Sequence, residues 1–138
     1  MWTIETTVRT PLRAGTQQAG LLVYRDDGDY VKLAAAAAGG KVRFQLVGEA
    51  RNVVAENAPA ATSTRPRNDR YRLRLARSGS RYTGYWSVSG ASWRRLGSVV
   101  NRSLAAGAAC GLFALGAAHQ GAPPYAAFAH FRVSANVP

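Results

Sequence analysis

Short runs of alternating apolar and polar residues recur along the chain and are separated by Gly, Asn, Asp or Ser. In the run RYRLRLAR, residues 70–77, Tyr71, Leu73 and Leu75 alternate with arginines. Because successive side chains of a strand point to opposite faces of its sheet, we expect the tyrosine and leucines in a core and the arginines in solvent. Short strands at such regular spacing predict an all-β fold, either a sandwich or a barrel of antiparallel strands.

The alternation predicts nine strands and a weaker tenth at Arg51–Val54. The dipeptides Asp27-Gly28 and Gly39-Gly40 separate neighbouring runs, and both accept the positive φ angles of tight hairpins. The segment Glu56–Arg70, with two prolines, is predicted to be the longest loop. The nine strands are Trp2–Arg9, Gln18–Arg25, Tyr30–Ala35, Lys41–Val47, Tyr71–Arg77, Tyr82–Val88, Trp93–Ser98, Cys110–Gly116 and Ala126–Val133.

The same alternation predicts which side chains form the core. Leu22 lies where the alternation is ambiguous, and Cys110, the only cysteine, is expected to be a buried apolar side chain rather than a reactive thiol. A single cysteine also excludes an internal disulfide. The predicted core consists of Leu21, Val23, Val31, Leu33, Phe44, Leu46, Leu73, Leu75, Leu112, Phe131 and Val133.

Length and hydropathy bound the kind of protein. The 138 residues fit one domain, which we expect to cover residues 1–138 and to have been excised from a larger protein. No apolar run reaches the ~18 residues of a membrane span, so no membrane partner is expected. Met1 is followed at once by a strand-like run, so we expect any export signal to lie upstream or to have been removed. The expected location is secreted or extracellular.

The net charge of +11 comes almost wholly from arginine, since Lys32 and Lys41 are the only lysines. One interpretation is the codon bias of a GC-rich gene, which favours arginine and alanine together. The other is an anionic partner, because summed positive charge attracts polyanions. The first interpretation is favoured, and the second remains open.

Groups that carry catalysis or bind metals are scarce in the chain. His119 and His130 follow no zinc-binding spacing, and no nucleophile elbow or phosphate loop occurs. Asp26, Asp27 and Asp29 suit a turn between two strands better than a calcium site. Glycoside hydrolysis needs two facing carboxylates, and the sequence brings no two of Glu5, Glu49 and Glu56 together. We therefore expect no catalytic residues, no metal site and no cofactor, and a structural calcium ion is disfavoured.

Aromatic residues offer a different chemistry. The apolar C–H face of a sugar ring rests against a flat aromatic ring, and oriented polar groups then hold the hydroxyls. In RYTGYWSVSGASWRR, residues 81–95, alternation assigns Tyr82 and Trp86 to the core and leaves Tyr85 and Trp93 as candidates for a ligand surface. Tyr30, Lys32, Arg43 and Gln45 lie on two runs joined by a Gly-Gly turn and are expected to be near neighbours. The candidate carbohydrate-binding residues are Tyr24, Arg25, Tyr30, Lys32, Arg43, Gln45, Tyr85 and Trp93.

Four stretches in order along the chain resemble one family. The run AGLLVYRDDGDYVKLA at 19–34 is followed by LRLARSGSRYTGYWSVSGASW at 73–93, CGLFALG at 110–116 and FAHFRV at 128–133. Together they resemble the concanavalin A-like, laminin-G-like jelly-roll domains at the C-terminus of bacterial β-xylosidases and arabinofuranosidases. Ala129 and Ser89 replace acidic residues of the family pattern, which lowers the expectation of a calcium site. The resemblance implies a two-sheet antiparallel β-sandwich of the concanavalin A-like jelly-roll type and an accessory role on a glycan-active enzyme.

The leading function hypothesis is a non-catalytic carbohydrate-binding module, with a polysaccharide or oligosaccharide and the catalytic domain of the same parent chain as partners. One alternative is a structural domain that docks on that catalytic domain. Another is a basic domain that binds acidic glycans; nucleic acid is a less favoured partner. The sequence does not name the sugar.

Overall fold

A computed structural model describes residues 1–88, 90, 92–104, 108–116 and 125–135, without the side chains of 55–57. Within these residues the regular structure is all strand. The strands are β1 (Trp2–Arg9), β2 (Gln18–Asp26), β3 (Asp29–Ala38), β4 (Lys41–Ala50), β5 (Val53–Asn57), β6 (Ala61–Thr64), β7 (Arg70–Ser78), β8 (Arg81–Val88), β9 (Arg94–Val100), β10 (Ala109–Leu115) and β11 (Ala127–Ala135).

The strands form two antiparallel sheets. The five-stranded sheet has the order β11-β1-β7-β8-β9, and the six-stranded sheet has the order β10-β2-β3-β4-β5, with β6 also paired to β4. Strands that are distant in sequence are thus neighbours in space, as in a jelly roll. The predicted all-β, two-sheet antiparallel sandwich is confirmed.

The core lies between the two sheets and is built from the inward side of each alternating run. The rings of Phe44 and Trp86 come from opposite sheets and stack with centroids 4.4 Å apart. Tyr82 and Trp86 are buried, as their alternation predicted. The prediction of burial is also confirmed for Leu21, Val23, Val31, Leu33, Phe44, Leu46, Leu73 and Leu75.

Three predicted core residues are exposed instead. Leu112 is 37%, Phe131 42% and Val133 59% exposed. Leu112 pairs with the buried Leu21 and Val133 with the buried Ile4, so both occupy inward positions of the alternation. Their strands β10 and β11 are the outermost strands on one side of the two sheets, where less of the opposing sheet covers them. Leu22 and Cys110 are only partly buried, and burial raises the pKa of the Cys110 thiol.

The segment from Glu56 to Arg70 is not one long loop, because β6 lies within it and pairs with β4. The weak strand predicted at Arg51–Val54 begins two residues later, at Val53. Arg51 and Asn52 form the turn of the β4–β5 hairpin with φ angles of 52° and 63°. Two positive φ angles are typical of a type I′ hairpin turn, but the pair lacks the glycine that normally reveals one in a sequence.

Candidate functional site

The outward face of the six-stranded sheet holds five of the predicted binding residues. Tyr24 on β2 pairs with Tyr30 on β3, and Lys32 is two residues further along β3. Arg43 and Gln45 project from β4 on the same face, opposite Ala36 and Ala34.

The two tyrosines of this face are held by carboxylates. The hydroxyl of Tyr24 donates to Asp27 Oδ1 at 2.7 Å, and that of Tyr30 donates to Glu49 Oε2 at 2.7 Å. Burial and the bond to Glu49 raise the pKa of Tyr30 to about 12. The bond to Asp27 and burial also raise the pKa of Tyr24. These hydroxyls are committed to fixing the rings, and a sugar would have to use the ring faces.

Lys32 is similarly engaged. Its Nζ donates to Gln18 Oε1 at 3.0 Å and lies 6.0 Å from the centroid of the Phe113 ring. Burial lowers the pKa of this ammonium, against the opposing effect of Glu49. The side chain therefore spans β3 to β10 across the sheet rather than standing free above it.

The expected cluster of Tyr30, Lys32, Arg43 and Gln45 forms only in part. Gln45 pairs with Ala34, so it is a diagonal neighbour of Lys32. Arg43 lies opposite a position six residues beyond Tyr30, which corresponds to about 20 Å along the strand. The sequence order suggested proximity, but the long β3–β4 hairpin places Tyr30 and Arg43 towards opposite ends of the sheet.

Arg25 belongs to a structural network at the β2–β3 turn. Its Nη2 lies 2.8 Å from Oδ2 of Asp29, a carboxylate that is 1% exposed. The Oδ1 atom of Asp29 accepts from Ser103 Oγ at 2.6 Å and from Asn101 Nδ2 at 3.1 Å. This buried carboxylate ties the turn to the residues that follow β9, and Arg25 neutralises it.

The outward face of the five-stranded sheet has a cleft of about 220 Å³ in which charged and aromatic groups converge. Trp93 immediately precedes β9, and its ring centroid lies 4.4 Å from Cζ of Arg72 and 4.2 Å from Cζ of Arg74. Contacts of this length are cation–π interactions, which hold the ring against β7. The cleft is lined by Glu5, Thr6, Thr7, Arg72, Trp93, His130 and Arg132.

Glu5 organises the arginines of this cleft. Its Oε2 accepts from Arg74 Nε at 2.9 Å, and its Oε1 lies 3.8 Å from Arg132 Nη1. Because β1 lies between β7 and β11, the carboxylate stands between these two guanidiniums.

A β-bulge in β11 shapes the rim of the cleft. Glu5 pairs with Arg132 and Thr7 pairs with Ala129, so two residues of β11 stand opposite Thr6 alone. The hydroxyl of Thr6 donates to the Ala129 carbonyl at 3.0 Å. His130 adopts a φ of 55°, a left-handed conformation that is uncommon for residues other than glycine. Bulges of this kind re-aim a side chain beside functional sites, and His130 lines the cleft.

A second cleft, of about 250 Å³, adjoins the first and shares Thr7 and His130 with it. Arg9 and Arg70 line it and pair directly with each other across β1 and β7. We call the two clefts together the Trp93 groove. It crosses β7, β1 and β11.

The predicted binding residues therefore do not form one site. Trp93 and Tyr85 belong to the five-stranded sheet, whereas the others belong to the six-stranded sheet. The sequence analysis missed Arg72, Arg132 and His130 as members of a site. Their alternation placed the two arginines on outward faces, but nothing in the sequence indicated that β1 pairs with both β7 and β11.

Two geometric findings bear on catalysis and metals. Glu5 and Glu49 lie on the outward faces of different sheets and do not form a facing pair, and the side chain of Glu56 is outside the described set. Three or more His, Cys, Asp or Glu residues that could hold a metal ion do not come together anywhere in the described ranges. His119 lies outside those ranges.

Within the described ranges, no helix is long and apolar enough to cross a membrane.

A family model described as the β-xylosidase C-terminal concanavalin A-like domain (GH43_C2) matches residues 1–134. A search of curated proteins found no significant match.

Solved structures share this fold at low sequence identity. The xylan β-1,4-xylosidase of Bacillus halodurans C-125 matches with a TM-score of 0.81 and 16% identity over 97% of this chain and 27% of its own. The GH43 protein BlXynB of Bacillus licheniformis matches with a TM-score of 0.78 and 18% identity over 96% of this chain and 27% of its own. The carbohydrate-binding module CBM66 of Bacillus subtilis matches with a TM-score of 0.61 and 13% identity over 97% of this chain and 74% of its own. The chain thus spans about a quarter of the two enzymes.

Proposed function

The chain belongs to the family of β-xylosidase C-terminal concanavalin A-like domains, and on that premise we propose that it is a non-catalytic carbohydrate-binding module accessory to a glycan-active enzyme. The matched family is the accessory domain of GH43 enzymes and not their catalytic domain. Its structural neighbours include a xylan β-1,4-xylosidase and a carbohydrate-binding module. The proposed ligand is a polysaccharide or oligosaccharide, bound without metal or cofactor.

The observation that carries the proposal is the Trp93 groove. The Trp93 indole ring is partly exposed, and its contacts with two arginines set its position before a ligand arrives. Thr7 and His130 line the adjacent cleft and can exchange hydrogen bonds with sugar hydroxyls. A flat ring beside a few oriented polar groups is the arrangement that a sugar-binding site requires.

The Trp93 groove is favoured over the opposite sheet for a physical reason. The Tyr24 and Tyr30 hydroxyls already donate to carboxylates, and Lys32 is bonded to Gln18. A sugar on that face would have to displace these bonds or go without them. Binding by Tyr24, Arg25, Tyr30, Lys32, Arg43 and Gln45 stays a prediction that the same experiment tests.

The test is affinity gel electrophoresis and calorimetry of the domain with xylan and other polysaccharides at two salt concentrations. We expect retardation by at least one polysaccharide, and Trp93→Ala should abolish it. The melting temperature should fall by only a few degrees, as expected for the loss of two cation–π contacts. Tyr125→Ala is the matched control, because Tyr125 is 53% exposed and does not line the groove. Lost binding in Tyr30→Ala, with Trp93→Ala unaffected, would assign the ligand to the other sheet. Absence of binding to every polysaccharide would refute the module.

A second candidate function is docking on another domain of the same parent chain. Leu112 and Val133 occupy inward-facing positions of the outermost strands β10 and β11, and with Phe131 in the β11 bulge they are 37–59% exposed. We propose that this open side of the sandwich packs against the catalytic domain. The support is the apolar character of the exposed groups and the fact that the chain spans only about a quarter of the matched xylosidases.

Phe131→Ser tests the docking proposal. It should change the stability of the isolated domain little, because the side chain is already 42% exposed. In a chain that also carries the catalytic domain, it should separate one thermal unfolding transition into two. One unchanged transition in that variant would refute the docking surface. If either candidate function holds in a glycan-degrading enzyme, we further propose a secreted or extracellular location.

A further inference from the structure

The Trp93 groove carries more positive charge than its acidic group neutralises. Arg72 and Arg132 line its first cleft and Arg74 contacts Trp93, whereas Glu5 is the one carboxylate among the residues that line this cleft. Glu5 binds Arg74 at 2.9 Å and Arg132 at 3.8 Å. Arg72 has no acidic group within 4.0 Å among the residues that the structure describes. Its charge is therefore available to a ligand.

The second cleft of the groove repeats the pattern. Arg9 and Arg70 stand directly opposite each other on neighbouring strands, and both are exposed. Like charges at such a pair of positions destabilise a sheet. In the described part of the chain neither guanidinium forms an ion pair that would offset the repulsion. A bound anion would relieve it.

The geometry of Arg72 suits one kind of anion. Its guanidinium carbon lies 4.4 Å from the Trp93 ring centroid, which is within cation–π distance. The N–H donors lie in the plane of the guanidinium and form a fork that matches a carboxylate. A carboxylate held by this fork lies beside the indole ring, as the carboxyl group of a sugar acid lies beside its pyranose ring.

We propose that the Trp93 groove binds glycans that bear uronic acid residues, with the carboxylate on Arg72 and the sugar ring against Trp93. The proposal rests on the proposed carbohydrate-binding function and names the ligand class of the same site. Arg9 and Arg70, in the adjoining cleft, attract a second uronic acid residue of the same glycan. The +11 net charge then has a local role, because it raises the concentration of an acidic glycan near the groove.

The test compares a xylooligosaccharide carrying one glucuronic acid branch with the same compound after reduction of its carboxyl group to an alcohol. Calorimetry should show the acid form binding at least about tenfold more tightly, as expected for one charge-assisted pair. Arg72→Gln should lower affinity for the acid form by a similar factor and affinity for the reduced form by a clearly smaller factor, because the reduced form depends on Arg72 only through its contact with the Trp93 ring. Arg72→Lys should restore part of the loss, because it keeps the charge without the fork.

Arg81→Gln is the matched control. Arg81 is exposed on the same face and opposite Ser78, six residues along β7 from Arg72, or about 20 Å away. It removes the same charge and should leave both affinities unchanged. Equal losses in the Arg81 and Arg72 variants would reduce the effect to general charge and overturn the site.

The outcomes separate the two proposals. Equal binding of the acid and reduced forms would overturn the uronate preference and leave the carbohydrate-binding module standing. Failure of both forms and of neutral polysaccharides to bind would overturn the module as well. A single-stranded oligonucleotide that displaced the acid sugar at equal concentration would overturn the glycan assignment in favour of a general polyanion site.

Discussion

Asn101 should be one of the most costly polar residues to replace. It is 1% exposed and follows β9, where its Nδ2 donates to the Glu49 carbonyl at 2.8 Å and to Asp29 Oδ1 at 3.1 Å. Its Oδ1 accepts from the backbone N–H groups of Ser103 at 3.0 Å and Leu104 at 3.2 Å. One amide thus joins the end of the five-stranded sheet to two strands of the six-stranded sheet.

The magnitude follows from these four bonds. Each is worth about 1 kcal/mol net, and groups left buried without a partner add to the loss. Asn101→Ala should therefore lower the free energy of unfolding by about 3–5 kcal/mol. For a chain of this size the loss corresponds to a fall of roughly 10–20 °C in melting temperature. Urea denaturation and calorimetry measure both quantities.

Two further variants sharpen the test. Asn68→Ala removes one exposed bond to the Arg70 N–H and should cost well under half as much. Asn101→Asp keeps the size but places a second carboxylate beside Asp29, so it should destabilise strongly at neutral pH. Its penalty should shrink as pH falls, because the folded state favours the protonated form. A loss in Asn101→Ala no larger than that in Asn68→Ala would refute the reasoning.

The remaining predictions concern pH, packing and activity. Burial raises the pKa of Tyr71 to about 12 and, with the bond to Glu49, that of Tyr30 to about 12. Both groups stabilise the fold below pH ~10, and this stability should fall as pH rises towards 12. Urea denaturation at pH 9 and 11 should show a smaller fall in the free energy of unfolding for Tyr71→Phe than for the unchanged protein. An equal fall in the two proteins would contradict the assignment. Gly20→Ala should lower the free energy of unfolding by about 1–3 kcal/mol, because its Cβ would overlap the Leu33 carbonyl oxygen, whereas Gly111→Ala, with nothing within 4 Å of the added atom, should not. The isolated domain should release no product from aryl glycosides or polysaccharides, and activity abolished by Glu5→Gln would contradict this.

Alternation predicted the sandwich because it records which face of each strand is buried. The RYRLRLAR run placed Tyr71, Leu73 and Leu75 inside, and all three are fully buried. Alternation does not record how much of the other sheet covers a position. For this reason Leu112 and Val133 are exposed although they face inward.

The candidate site was harder to predict than the fold, because a site depends on which strands are neighbours. Tyr30 and Arg43 lie on consecutive strands of the sequence, but the β3–β4 register places them far apart. Conversely, Arg72 and His130 are distant in sequence, and β1 brings them to one cleft. Trp93 could be proposed from the aromatic-rich run in which it lies, but only the structure shows that two arginines contact it.

The most direct test of carbohydrate binding in the Trp93 groove is a ¹H–¹⁵N NMR titration with an oligosaccharide. The oligosaccharide is prepared from a polysaccharide that retards the domain in gels. The account predicts that the largest shift changes fall on the Trp93 indole N–H and on the backbone amides of Thr7, Arg72 and His130, which line the groove. Shift changes confined to Tyr24, Tyr30 and Lys32 on the opposite sheet would contradict that placement, and unchanged spectra at saturating sugar would contradict binding itself.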